Sequence, residues 1–295
     1  MPYGLILQKK NLLNVWQIFQ GRRDVLAREI YNNILNRLPA ALILASSIFG
    51  IIYLENIYII FVLLLIVTLL LMKEWLTISN SPINLKQILF FITLLVFSFY
   101  FGDYFINLYL FLTLIFWLIY SIFLLSNKTL SLVSFNNNFL GIFLILSFLF
   151  AMVHFMIFSE LINLNKFFVL FILFFNTVLA DVGAYLVGSS FGKRPLFPDI
   201  SPNKTLEGFF GGLALVALFV LIIFIFEFIA LDFLFISLFC IPFAFVGDYF
   251  ESQLKRGSNI KDSSSLIPGH GGIWDRLDSH IAVVPIFVFL SNFIL

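Results

Sequence analysis

The residues best suited to chemistry are concentrated near the end of the 295-residue chain. Nine charged side chains lie between Asp248 and Asp278, although only 11% of all residues are charged. Carboxylates without cysteine or several histidines favour hard cations such as Mg²⁺, which binds one or two carboxylates together with waters and substrate phosphates. The Lys and Arg side chains of this stretch would repel such an ion unless an anion lay between them. The stretch therefore indicates a site for a metal ion and phosphate groups.

Helical spacing predicts how these side chains group. If the helix before them continues, Asp248, Lys255 and either Glu251 or Ser252 share one face, because residues three and four apart are neighbours on a helix. The same spacing places two aspartates of the last helix on one face, Asp275 and Asp278.

Glycine and proline surround a lone histidine, His270, in the sequence IPGHGG. Glycines such as Gly271 and Gly272 let the backbone approach a ligand closely. His270 is open to two interpretations, a proton carrier in catalysis or a residue that only forms hydrogen bonds, because geometry has to be shown before acid or base catalysis is argued.

Two upstream stretches add further candidates. Asp181 lies about two turns from the end of an apolar segment, and an ionisable group at that depth in a membrane is by default a functional hypothesis, with a structural ion pair as the alternative. The segment SPNKTLEGFFGG (201–212) precedes a long apolar run. A helix beginning there offers free N–H groups and a positive dipole end to a phosphate, or is simply capped by its own side chains.

The composition indicates a membrane protein. Hydrophobic residues make up 61% of the chain, well above the share in soluble domains. Apolar runs near 20 residues are long enough to cross the hydrocarbon core as helices. We therefore predict an all-α polytopic membrane protein with about nine spans, at 39–54, 57–72, 88–101, 105–125, 139–158, 167–188, 208–231, 233–250 and 279–295.

We expect one integral domain with three regions. Residues 1–38 form a basic leader, either an amphipathic helix on the membrane surface or a segment that only sets orientation. Residues 39–166 are scaffold helices, and residues 167–295 carry the chemistry. A cytoplasmic N-terminus places every Lys and Arg except Lys166 on the inner side, so we expect the site to face the cytoplasm of a bacterial-type inner membrane.

Charge and cysteine content exclude several classes. The net charge of +1 argues against a nucleic-acid-binding protein. The single cysteine, Cys240, has no partner for a disulfide and is too few for a cysteine zinc site.

The segment 252–279, SQLKRGSNIKDSSSLIPGHGGIWDRLDS, resembles the signature of the phosphatidate cytidylyltransferases, also called CDP-diacylglycerol synthases. Upstream segments resemble the same family, namely GD-x-x-ES at 247–252, D-x-x-AY-x-x-G at 181–188 and SP-x-K-T-x-EG-x-x-GG at 201–212. The chain departs from the usual pattern at Asn203 and Leu206, where the family has Lys and Trp. The resemblance covers about residues 180–280.

The resemblance implies transfer of CMP from CTP to phosphatidic acid, with Mg²⁺ bound by Asp248 and Asp275. The expected catalytic residues are Asp248, Asp275, Lys255, Lys261, Asp262, His270 and Asp278. The expected substrate-binding and phosphate-binding residues are Ser201, Lys204, Thr205, Glu207, Ser252, Arg256, Gly271, Gly272, Arg276 and Asp181.

Two alternatives stay open at this point. One is another membrane nucleotidyltransferase or phosphotransferase that acts on a different lipid, and the other is an ion-coupled transporter that uses Asp181 as an ion site. Transporters of that kind often contain repeated halves, and the sequence has no evident repeat. The sequence also leaves open whether a second cation assists and whether the protein forms a homodimer.

Overall fold

A computed structural model describes residues 50, 56–80, 82, 84–126, 138–158, 165–267 and 271–294 of the protein. The leader and, apart from Gly50, the first predicted span, 39–54, lie outside these residues. The described part is a helical bundle with one small antiparallel hairpin, so the all-α polytopic prediction is confirmed. Its elements are α1 (Ile57–Ser79), α2 (Leu85–Leu125), α3 (Asn138–Phe158), α4 (Lys166–Phe191), β1 (Pro195–Phe197), β2 (Ser201–Thr205), α5 (Leu206–Ile225), α6 (Leu231–Gly257) and α7 (Trp274–Ile294).

Seven helical segments of the described residues are long and apolar enough to cross a membrane. Helix α2 contains two of the predicted spans, which meet at Gly102, where the backbone leaves helical geometry. The segment Tyr100–Leu125, which contains Gly102, has spanning length, and the segment before it, Leu85–Ser98, is shorter. The predicted number of nine spans is therefore approximate.

Asparagine and threonine side chains start several of these helices. The Asn84 side chain accepts a hydrogen bond from Gln87 N, and the Gln87 side chain accepts one from Asn84 N in return. Asn56 and Asn165 cap α1 and α4 in the same general way. Such caps satisfy backbone N–H groups that have no partner within the helix.

Large apolar side chains cover much of the outer surface of the bundle. Large residues such as Leu65, Phe101 and Ile122 are more than half exposed, and an apolar surface of this extent is unusual for a soluble monomer. In contrast, Trp75, Trp117 and Trp274 are fully buried. The bundle is therefore built to contact lipid on its outside and packed side chains on its inside.

One end of the bundle collects the polar segments. The last turns of α1, α4 and α6 and the first turns of α5 and α7 meet there. Ser258, just past the end of α6, donates a hydrogen bond to the carbonyl of Ile78 at the end of α1 (2.6 Å). The rings of Trp75 and Trp274, with centroids 5.2 Å apart and planes inclined by 48°, join α1 to the start of α7.

Helices α4 and α5 approach each other closely because small residues face each other. A Cβ atom placed on Gly212 would lie 2.5 Å from the carbonyl oxygen of Ala180 and 2.6 Å from Cζ of Phe245. No side chain fits at this contact. Interfaces of small residues are common between membrane helices because they let backbones approach.

This contact predicts that Gly212→Val destabilises the bundle. Overpacking of a tight interior typically costs about 1–3 kcal/mol, so we expect a lower thermal unfolding midpoint in detergent. Ala214→Val is the matched control, because Ala214 lies on the same helix and is exposed. Equal midpoints for the two variants would contradict the assigned packing.

Candidate active site

Three carboxylates from two helices converge at the polar end of the bundle. Asp248 and Glu251 of α6 and Asp278 of α7 each offer an oxygen atom, and these atoms lie within 4.8 Å of one another. Glu251 is only 1% exposed, and within the part of the chain that the structure describes its Oε1 atom has no hydrogen-bond partner. A set of hard oxygen donors with one unsatisfied buried atom fits a divalent cation such as Mg²⁺.

The close approach of α6 and α7 brings these carboxylates together. A Cβ atom at Gly247 would collide with the carbonyl oxygen of Asp278 and would lie 3.2 Å from Cβ of Ala282. A residue without a side chain at this position therefore allows Asp248, the next residue, to lie beside the first turns of α7.

Two lysines neutralise part of this negative charge. The Lys255 Nζ atom lies 2.7 Å from Glu251 and 2.6 Å from Asp275, while Lys204 pairs with Asp248 and lies 4.8 Å from the ring centroid of Tyr249. The predicted shared face of Glu251 and Lys255 is confirmed by their contact one helical turn apart.

Asp275 is held by the loop before α7. Its Oδ2 atom accepts hydrogen bonds from Ser263 N (2.9 Å), Ser263 Oγ (2.9 Å) and Gly272 N (2.7 Å), and its Oδ1 atom pairs with Lys255. In the described residues, the carboxylate group that includes Asp248 contains Glu251 and Asp278 but not Asp275. The predicted role of Asp275 as a metal ligand stays a prediction.

Asp181 of α4 faces the same group. Its side chain is exposed and interacts electrostatically with Asp248, Lys204 and Arg276. The structure therefore brings Asp181 to the site, where Lys204 and Arg276 are cations that interact with it, rather than leaving it isolated.

The hairpin between α4 and α5 presents Lys204 to the carboxylates. Its strands pair Pro195 with Thr205 and Phe197 with Ser201. The Thr205 hydroxyl accepts a hydrogen bond from Gly208 N at 3.1 Å and so caps α5.

Glu207, in the first turn of α5, closes the same hairpin. Its Oε2 atom accepts hydrogen bonds from Lys193 N (3.1 Å) and Arg194 N (3.2 Å). Thr205 therefore caps α5, as one of the two sequence interpretations proposed, whereas Glu207 joins the first turn of α5 to the loop after α4. The roles of Thr205 and Glu207 in binding phosphate stay predictions.

The remaining predicted residues differ in burial. Ser252 is half-buried on α6, and Gly271 is half-buried with a φ of +81°. His270, together with Pro268 and Gly269, lies outside the described residues. The predicted residues with exposed side chains are Arg256, Lys261, Asp262 and Arg276.

Sequence analysis missed Glu74, a buried carboxylate of α1. It is 4% exposed and accepts hydrogen bonds from Ser263, Ser264, Ile273 and Trp274. The available signal was an acidic residue within an apolar run, which in a membrane segment is a functional hypothesis by default. Its neighbour Lys73 made it resemble an ordinary charge at the end of a span.

Comparison with known proteins gives consistent matches. Residues 35–294 match the model of the cytidylyltransferase family. Phosphatidate cytidylyltransferase of Bacillus subtilis is 43% identical over 141 residues, which cover 45% of this chain and 51% of that protein. Phosphatidate cytidylyltransferase of Haemophilus influenzae is 45% identical over 136 residues, 43% of this chain and 47% of that protein.

A third relative is the phosphatidate cytidylyltransferase of Staphylococcus saprophyticus, which is 48% identical over 111 residues, 37% of this chain and 43% of that protein. The chain thus spans about half the length of the curated relatives it matches. The family match, in contrast, extends over nearly the whole chain, including α1 to α7. The chain therefore belongs to the cytidylyltransferase family.

Proposed function

We propose that the protein transfers CMP from CTP to phosphatidic acid and so forms CDP-diacylglycerol and pyrophosphate, with Mg²⁺ as the required ion. The observation that carries the proposal is the group of Asp248, Glu251 and Asp278 with Lys204 and Lys255 beside it. Negatively charged carboxylates next to positively charged lysines suit a metal ion and phosphate groups bound together. The names of the similar relatives support the same substrates.

The reaction needs no strong base. The nucleophile is an oxygen of the phosphomonoester of phosphatidic acid, whose second pKa of about 6 leaves it largely ionised at neutral pH. This oxygen forms a bond to the α-phosphorus of CTP, and the bond from that phosphorus to the oxygen bridging to the β-phosphate breaks. Pyrophosphate leaves with the bonding electrons. The protein therefore has to align two anions and compensate their charge.

The residues of the site have separate roles in this reaction. Asp248, Glu251 and Asp278 would hold Mg²⁺, which when bound supplies positive charge to phosphate oxygens. Lys204 and Lys255 contribute fixed positive charge next to those carboxylates.

Further cations lie at the edge of the site. Arg256 and Arg276 are exposed and offer planar groups of donors suited to phosphate oxygens. Arg276 belongs to the first turn of α7 and interacts with Asp181, so a phosphate bound by Arg276 would lie close to the carboxylate group.

The location of the site suits substrates of different solubility. Phosphatidic acid is anchored in the bilayer, whereas CTP is dissolved in the cytoplasm, so the two meet only at the inner surface. We propose that the polar end of the bundle faces the cytoplasm, because that orientation places the basic residues on the inner side, as membrane proteins favour.

The first prediction of the proposed function concerns turnover. Purified protein in detergent with phosphatidic acid, labelled CTP and Mg²⁺ should form labelled CDP-diacylglycerol, and Asp275→Asn should lower kcat by about a hundredfold, because the charge opposite Lys255 is lost. Asp199→Asn, which changes an exposed carboxylate of the hairpin turn, is the control.

Two results would count against the proposed reaction. Absence of product from the wild-type protein with phosphatidic acid, together with product from a polyprenyl phosphate or another lipid acceptor, would reassign the substrate. A wild-type rate for Asp275→Asn would remove Asp275 from the catalytic machinery.

The second prediction concerns the metal. Titration with Mn²⁺, followed by its paramagnetic resonance signal, should detect a bound ion in the wild-type protein. Asp278→Asn should weaken that binding by at least about tenfold, because one of three carboxylates is lost, whereas Asp199→Asn should bind as the wild type does. Equal affinities for the three proteins would show that the ion binds elsewhere.

A further inference from the structure

Glu74 is a carboxylate that the proposed reaction does not use, in a helix that contributes no other residue to the site. It lies on α1, an apolar helix of the described chain, and only 4% of its surface is exposed. An ionised carboxylate in such a place is costly unless several donors stabilise it. Hydrogen-bond donors around Glu74 are therefore needed to stabilise its charge.

Four donors saturate this carboxylate. Its Oε1 atom accepts hydrogen bonds from Ser264 Oγ (2.7 Å) and Ile273 N (2.9 Å), and its Oε2 atom accepts them from Ser263 Oγ (2.9 Å) and Trp274 N (2.7 Å). The two carboxylate oxygens have about four lone-pair sites in total, and the four donors occupy all of them. The N–H groups of Ile273 and Trp274 belong to the start of α7, where the helix dipole also favours a negative charge.

These donors lie at both ends of one loop. We use the name glycine loop only for the residues that the structure describes there, 263–267 and 271–273. Ser263 and Ser264 enter the loop, whereas Ile273 leaves it toward α7. Glu74 therefore ties the two ends together, beside the backbone bridge in which Ile267 N donates to Gly271 O at 2.8 Å.

Gly272 packs against the Glu74 carboxylate because it has no side chain. A Cβ atom at Gly272 would lie 2.5 Å from each oxygen of Glu74 and would collide with the hydroxyl of Ser263. The backbone of the loop thus packs directly on the Glu74 carboxylate, and no side chain fits between them.

The loop transmits this restraint to Asp275. The Ser263 hydroxyl lies 2.9 Å from both Glu74 Oε2 and Asp275 Oδ2 and shares its single proton between them. Ser263 N and Gly272 N donate to the same Asp275 oxygen. The other oxygen of Asp275 pairs with Lys255. A chain of short contacts therefore runs from Glu74 through the loop to an ion pair of the site.

We propose that Glu74 is a positioning residue for the reaction: it fixes the glycine loop and, through Ser263 and Gly272, the orientation of Asp275 and Lys255. The catalytic part of this inference rests on the proposed function, but the restraint on the loop does not. Glu74 contacts none of the three carboxylates that would hold the metal, so its effect on turnover is indirect.

The test combines amide hydrogen exchange with kinetics of the full-length protein. Glu74→Gln keeps the size of the side chain but replaces one acceptor oxygen with a donor. The serine hydroxyl facing the new NH2 group can reverse and accept, but the backbone N–H of Ile273 or Trp274 there loses its acceptor. We expect exchange at that amide to rise at least tenfold. We also expect kcat to fall at least tenfold with a change in KM for CTP of less than threefold, and Glu74→Asp to recover part of kcat.

Thr68→Val is the matched control for loss of a buried polar group from α1. Thr68 is 5% exposed, and its hydroxyl donates only within the helix, to Leu64 O at 2.7 Å. This variant should leave exchange in the loop and kcat unchanged. If Glu74→Gln does not fold, Ser264→Ala removes one of the four donors without a change in charge and should raise exchange at Ile273 and lower kcat about threefold.

Unchanged exchange at Ile273 and Trp274 in folded Glu74→Gln, or in Ser264→Ala where that variant replaces it, would overturn the inference. Faster exchange with an unchanged kcat would also overturn it, since Glu74 would then hold the loop without positioning the site. A wild-type protein without cytidylyl transfer would instead overturn the proposed function, and the exchange data would still decide whether Glu74 restrains the loop.

Discussion

The site depends on three carboxylates that repel one another at the end of a bundle built for lipid. Oxygens of Asp248, Glu251 and Asp278 lie within 4.8 Å, and two unit charges 4 Å apart repel by about 4 kcal/mol at an effective dielectric constant of about 20. Hydrophobic packing of α6 against α7 imposes this proximity. Positive charge from Lys204 and Lys255 offsets part of this repulsion, and the proposed cation would offset more of it.

The lysines also connect the site to the rest of the fold. Lys204 reaches Asp248 from the hairpin, and Lys255 joins Glu251 to Asp275 at the start of α7. Removal of one partner from such a pair leaves an uncompensated charge, which is strongly destabilising when it is buried. Arrival of a metal ion and phosphates would redistribute these pairs, so the same cations that stabilise the free protein are available to the substrates.

Much of this architecture follows from the sequence, because hydropathy and helical spacing are local properties. The apolar runs predicted the spans, and the spacing of Glu251 and Lys255 predicted their contact. Spacing did not show that Asp278, rather than Asp275, lies beside Asp248 and Glu251, because that depends on how α7 is rotated against α6. The pairing of the two short strands of the hairpin has no local signal in the sequence. The same holds for the hydrogen bonds between Glu74 and the serines Ser263 and Ser264, which lie about 190 residues further along the chain.

The central claim is that Asp248, Glu251 and Asp278 share one divalent cation. A crystal structure of the protein soaked with Mn²⁺, with anomalous scattering recorded for manganese, tests it most directly. The account predicts an anomalous peak at about 2.0–2.3 Å from carboxylate oxygens of at least two of these residues, the range typical of small divalent ions bound by oxygen. A well-ordered site without a peak there, or a peak bound by other residues, would contradict it.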